Sequence, residues 1–158
     1  MMINRSTSNP AGKWRVVTGV IGSDPHSVGN RLVTRVLEEA GYEVFNLGAM
    51  VPPDEFIASA REAAAHAILI SSLSGFGEVY ARDMRARCDE AGLPHVVLYM
   101  GGNVVNGRAD WQEVEATFKQ YGFDHVYPPQ TRPEVFLPHL AADLESRFSS
   151  AKGPVPAS

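Results

Sequence analysis

One cysteine, Cys88, stands among 158 residues, so no internal disulfide can form and cysteine-rich zinc clusters are excluded. Charge of one sign is also missing. Fourteen Lys and Arg face eighteen Asp and Glu, a formal net charge of -4, and the two signs are interspersed. That excludes the basic stripe that tracks a phosphate backbone, and nucleic acid is not an expected partner. Long apolar runs are absent: "VVLYM" and "AILI" fall far short of the roughly 20 residues that cross a bilayer, so no membrane association is expected. The opening "MMINRSTSNPAGKW" lacks the apolar core of a secretory leader, and a cytoplasmic protein is the expectation. Nor does "GVIGSDPHSVG" carry the glycine spacing or the lysine of a dinucleotide or P-loop fingerprint.

Against these absences stands a regular alternation. Residues 1–13 and 149–158 are polar or Pro-rich and read as disordered tails around one domain, 14–148. Within it, five apolar runs, "RVVTGVIG", "YEVFNL", "HAILISS", "HVVLYMGG" and "DHVYPP", are each followed by a segment of helical period. In the first helix Val28, Leu32, Val36 and Ala40 form a stripe widened by Val33 and Leu37, and Gly41 ends it. The second opens on Pro53, with Asp54 and Glu55 complementing the helix dipole. Trp111, Val114, Phe118 and Tyr121 line the fourth; Phe136, Leu140, Leu144 and Phe148 line the fifth, where Pro138 predicts an early break or kink.

Continuous apolar strands joined by helices predict an α/β fold: a doubly wound, five-stranded parallel sheet, flavodoxin-like, in the order 2-1-3-4-5. Strands one, three and four then lie side by side. Their following loops, "SDPHSVG", "SSLSGFGE" and "GGNVVNG", converge on one rim beyond the carboxyl ends of the strands.

Several chemistries were weighed against that rim. A phosphoacceptor receiver needs an aspartate ending the third strand, which here ends "ISSLSG". A flavodoxin phosphate loop would not carry Asp24. A nucleophile among Ser23, Ser27, Ser71, Ser72 and Ser74 with His26 as base lacks a nucleophile elbow. His66, His95, His125 and His139 are scattered in sequence and read as surface or strand-end histidines rather than zinc ligands. Asp24 and His26 by themselves fit a turn residue and a loop histidine. That is the simpler reading of the pair taken alone; the alternative is a metal that takes one imidazole nitrogen while the carboxylate holds the other ring N–H, and a single protein ligand suits a metal already held by a macrocycle.

The motif Asp24-x-His26-x-x-Gly29, with "SSL" after the third strand and "GG" after the fourth, resembles the cobalamin-binding domains of methionine synthase and the base-off, His-on mutases. It is most similar to the small sigma subunits of adenosylcobalamin-dependent glutamate mutase, and the likeness covers nearly all of the chain between the tails. The resemblance implies His26 as lower axial ligand to cobalt and Asp24 as the hydrogen-bond partner of its ring. Ser23, Pro25, Ser27 and Gly29 would approach the corrin or its tail. Ser71, Ser72 and Leu73 would follow the displaced nucleotide tail, and Gly101, Gly102, Asn103, Val104 and Val105 would wall its dimethylbenzimidazole end. No residue here would act on the substrate itself. A barrel-shaped epsilon subunit would bind it, two small and two large subunits together converting (S)-glutamate to (2S,3S)-3-methylaspartate by radical rearrangement. Pro25, Ser74, Phe76, Pro129 and Gln130 depart from the family's pattern. The alternatives are a stand-alone cobalamin carrier or sensor, a related mutase with another substrate, and a cofactor-free flavodoxin-like interaction domain.

Overall fold

A computed structural model describes residues 14–21, 28–72, 77–102 and 110–149. Five strands, β1 (Arg15–Val20), β2 (Glu43–Asn46), β3 (Ala67–Ser72), β4 (Val97–Gly102) and β5 (His125–Tyr127), form one parallel sheet in the order β2-β1-β3-β4-β5. The predicted topology is borne out. The helices are α1 (Val28–Glu39), α2 (Pro53–Ala63), α3 (Gly77–Ala81), α4 (Met84–Glu90), α5 (Trp111–Gln120) and α6 (Pro133–Leu144), the last continued by a π-helical turn, Glu145–Ser149.

The sheet separates two cores, as the period-2 alternation of buried strands requires. Val17, Ile68, Ile70, Leu98, Met100 and Val126 face one way and pack with Phe56, Ile57, Met84, Cys88, Val114 and Phe118. Val16, Ala67, Leu69, Val97, Tyr99 and Tyr127 face the other, against Leu37, Phe136, Leu140 and Leu144. The second core therefore lies under α1 and α6.

Three helical expectations need correction. The third helical segment is broken into α3 and α4 by a turn at residues 82–83, although Ala81, Met84 and Cys88 keep the spacing of one helical face and are all fully buried. The buried stripe of α1 runs through Asn30, Thr34 and Leu37 with Val33 and Val36 half-covered, while Leu32 is 61% exposed. Its polar members are paired in part: the Thr34 hydroxyl meets that of Thr18 at 2.9 Å, and Asn30 donates through Nδ2 to Asn46 Oδ1 at 2.6 Å. Pro138 sits inside α6 without ending it. Pro138 is exposed, so the backbone bond it forfeits lies on the water side, where solvent can take its place. The stripes of α5 and α6 are as expected, with Val114, Phe118, Phe136, Leu140, Leu144 and Phe148 all buried.

At the amino end of the sheet a carboxylate ties four elements together. Asp124 accepts from the Leu98 backbone N–H at 2.9 Å, from Arg85 Nη2 at 3.3 Å and from Arg147 Nη2 at 2.5 Å. Arg85 also donates to the Gly122 carbonyl and Arg147 to that of His95.

Candidate functional site

Register sets where the rim begins. Val20 of β1 pairs with Ser71 of β3, and Ser71 pairs with Gly101 of β4, so the three central strands end at one level. Ser23, Asp24, Pro25, His26, Ser27, Leu73, Asn103, Val104 and Val105 lie outside the described residues. Their anchors do not: Ile21 is bridged to Val51, and α1 starts at Val28.

Beneath that rim, on the α1 and α6 side, a cavity of about 400 Å³ opens. Its size falls within the range of small-ligand sites. Leu69, Ser71, Tyr99, Gly101 and Tyr127 form its floor, all on the same sheet face by alternation. Leu32 and Val33 of α1 form one side, and Phe136 with the turn Pro128–Thr131 forms the other. The exposure of Leu32 is thereby accounted for, since it faces the cavity rather than the core.

The two glycines ending β4 differ in why they are glycine. Among the described residues a Cβ on Gly101 would meet only Tyr127, at 3.7 Å from its Cβ and 3.9 Å from its carbonyl oxygen, which is ordinary contact. The fold tolerates a side chain there; the cavity would lose the space. Gly102 has φ +94°, and a Cβ on it would lie 2.5 Å from the Ser72 carbonyl oxygen. Only glycine fits that close approach. Ser72 is fully buried on the opposite face from the cavity, beside Gly77, where an added Cβ would come within 2.9 Å of its hydroxyl oxygen. Ser71 lines the cavity, and so does Gly29 from the first turn of α1, where an added Cβ would meet nothing within 4 Å.

Two features suit a large planar cofactor with a nucleotide tail. The cavity floor is apolar and left open by Gly101. Asn30, 1% exposed in the first turn of α1, keeps its Oδ1 without a hydrogen-bond partner. A buried acceptor left so costs free energy until a donor arrives, and it stands where α1 leaves the Asp-x-His segment. Among the described residues no cluster of three or more His, Cys, Asp or Glu could hold a metal by itself. Burial pushes the Cys88 thiol up to about 11, which removes it as a nucleophile.

The histidines are less scattered than their sequence positions suggest. His125 and His139 stack at 4.4 Å with planes 3° apart, beside Tyr127. His66 is buried, 2% exposed, and its Nδ1 accepts the Arg15 backbone N–H at 3.1 Å. Burial, then the neighbouring His139, lower the pKa of His125, an effect partly offset by Asp143. A histidine harder to protonate in the fold than in the unfolded chain stabilises the fold above the ordinary imidazole pKa of about 6.5 and loses that contribution as pH falls below it. The urea midpoint of the wild-type chain is therefore expected to drop more between pH 7.5 and 5.5 than that of His125→Gln. Parallel pH dependences would contradict this.

A model of the B12 binding domain matches residues 14–129. The glutamate mutase sigma subunit of Clostridium tetani is 48% identical over 132 residues, covering 84% of this chain and 96% of that one. The chain belongs to the B12-binding domain family, among the glutamate mutase sigma subunits. Solved structures place the fold but cannot choose within it. A cobalamin-binding protein from Desulfitobacterium hafniense superposes with a TM-score of 0.65 at 19% identity, covering 82% of this chain, which spans 58% of that protein. The signal receiver domain of a response regulator from Mycobacterium tuberculosis reaches 0.60 at 15% identity, covering 85% of this chain and 98% of its own. For this B12-binding domain, family membership thus rests on sequence, and the fold is shared with receivers whose phosphoacceptor aspartate is missing here.

Residue-by-residue inspection of the sequence missed Tyr99, Tyr127, Phe136 and Leu32 as cavity walls. The signal for one of them was present: alternation in "VLYMGG" puts Tyr99 on the same face as Gly101.

Proposed function

We propose that the chain is the cobalamin-carrying subunit of an adenosylcobalamin-dependent glutamate mutase. The observation that carries this is the cavity beneath the ends of β3 and β4, open at Gly101, in a chain of sigma-subunit sequence. His26 serves as the lower axial ligand to cobalt, and Asp24 holds the far N–H of its ring, fixing the tautomer and raising the basicity of the ligating nitrogen. Ser71 would hold the nucleotide tail, and Gly101, Leu32 and Phe136 would give its dimethylbenzimidazole end an apolar site away from water. Ser72 acts from the other face and Gly102 from the cavity's edge, by setting the backbone at the strand ends. When bound, adenosylcobalamin supplies the carbon-centred radical that a carbon-skeleton rearrangement needs.

The substrate pocket belongs to a barrel-shaped epsilon subunit, with two small and two large subunits in the active assembly. No helix among the described residues is long and apolar enough to cross a membrane, and a cytoplasmic site of action fits this chemistry. Mixing the purified chain with adenosylcobalamin, an epsilon subunit and (S)-glutamate is expected to form 3-methylaspartate. Cofactor binding without product would assign the chain to a carrier or to another mutase instead. His26→Ala is expected to abolish the axially ligated spectrum with the fold intact. Asp24→Asn should weaken cofactor affinity by roughly 10- to 100-fold, the usual cost of losing a partner behind a metal-bound histidine; unchanged affinity would overturn that role for Asp24.

A further inference from the structure

The two tyrosines of the cavity floor are held from behind. Tyr99 Oη donates to Asp143 Oδ2 at 2.6 Å, and Tyr127 Oη lies 2.7 Å from His139 Nδ1. Both partners are on α6, which also supplies Phe136 to the cavity wall. His139 is braced by the parallel ring of His125, whose Nε2 lies 3.6 Å from the same Asp143 oxygen and whose face receives the edge of Tyr99 at 5.1 Å. The five side chains form one connected unit spanning β4, β5 and α6.

An aromatic ring bordering a cavity has packing on one side only. Nothing on the open side stops it from swinging inward, and a ring that does so fills the space a ligand would take. Phenylalanine would serve as well for packing alone, since a buried hydroxyl gains little net stability from the bond it makes. What the hydroxyls add is direction. A tether at the far end of each ring fixes both of its torsions without placing any atom in the cavity.

We propose that His139 and Asp143 are positioning residues of the cofactor cavity: by tethering Tyr127 and Tyr99 they keep its floor flat and open in the empty chain. The occupant is a planar aromatic base, and this assignment rests on the cobalamin function proposed above. Preorganisation of this kind raises affinity by removing a reordering cost that binding would otherwise carry.

The test combines a double-mutant cycle with a rescue. His139→Leu is expected to weaken cobalamin binding about tenfold, read by absorbance titration, a loss of about 1.4 kcal/mol. Tyr127→Phe should match it, and the double variant should be no weaker than either single one, because both remove the same bond. His139→Asn, whose side-chain oxygen can stand where Nδ1 stood, should restore affinity to within about threefold of wild type. In the empty chain the near-ultraviolet circular dichroism of tyrosine should weaken in the leucine variant and return in the asparagine variant. Wild-type binding with unchanged affinity in His139→Leu, additive losses in the double variant, or failure of the asparagine to rescue would each overturn the tether. A wild-type chain that binds no cobalamin overturns the assigned occupant, while the circular dichroism still decides whether the rings are tethered.

Discussion

Gly101→Leu is expected to abolish cobalamin binding, by 100-fold or more, while leaving the unfolding midpoint close to that of wild type. The expectation follows from what surrounds the position. The nearest atoms to an added Cβ are those of Tyr127, at ordinary contact distance, so the strand end accepts a side chain without moving. Alternation along β4 sends that side chain into the cavity with Tyr99, where a leucine would sit over the floor that the base must cover. Displacing a planar ligand from a pocket of this size leaves its ring in water and forfeits several kcal/mol of burial at ~25 cal/mol per Å². Its neighbour should behave in the opposite way. Gly102→Ala meets the Ser72 carbonyl oxygen at 2.5 Å and must adopt a left-handed backbone, so it should lower stability by about 2 kcal/mol or more. Isothermal titration beside urea unfolding separates the two outcomes, and similar profiles for both glycines would show that the cavity assignment is wrong.

Asp124→Ala is expected to cost about 2 to 3 kcal/mol of stability without changing cobalamin affinity. Its carboxylate is 18% exposed and faces Arg85 and Arg147, which are 19% and 28% exposed, so solvent screens the pairs incompletely. Removing it leaves the Leu98 N–H and two half-buried guanidinium groups without their acceptor. The site lies at the amino end of β5, away from the carboxyl ends where the cavity opens. Asp124→Asn, which keeps an acceptor for Leu98, should lose less. A urea midpoint unchanged in the alanine variant would contradict the clamp, and lost cofactor affinity in a folded variant would show that the two ends of the sheet are coupled.

Much of this architecture was legible in the chain. Strand and helix order follow from local periodicity, and strand order follows from the handedness of crossovers, so β2-β1-β3-β4-β5 could be expected before any coordinates. The glycines ending β4 lie at the end of the sheet where the cavity opens. What escaped was whatever depends on two distant segments meeting. Leu32 continues an apolar stripe in sequence, yet it faces a cavity formed by α6, more than a hundred residues on. His125 and His139 look unrelated until β5 and α6 pack together and stack them. Gly101 and Gly102 look equivalent until the backbone shows that only the second has a positive φ.

The fold itself decides little about chemistry, because receivers and cobalamin-binding proteins superpose on it about equally well. The function proposed above rests instead on the side chains at the carboxyl ends of the strands. The measurement that tests this most directly is a titration of the purified chain with adenosylcobalamin, followed by absorbance. Saturable binding with a base-off spectrum in the wild type, lost in Gly101→Leu and stripped of its axial-ligand signature in His26→Ala, is the predicted result. A wild-type chain that leaves the cofactor spectrum unchanged at any concentration would contradict it.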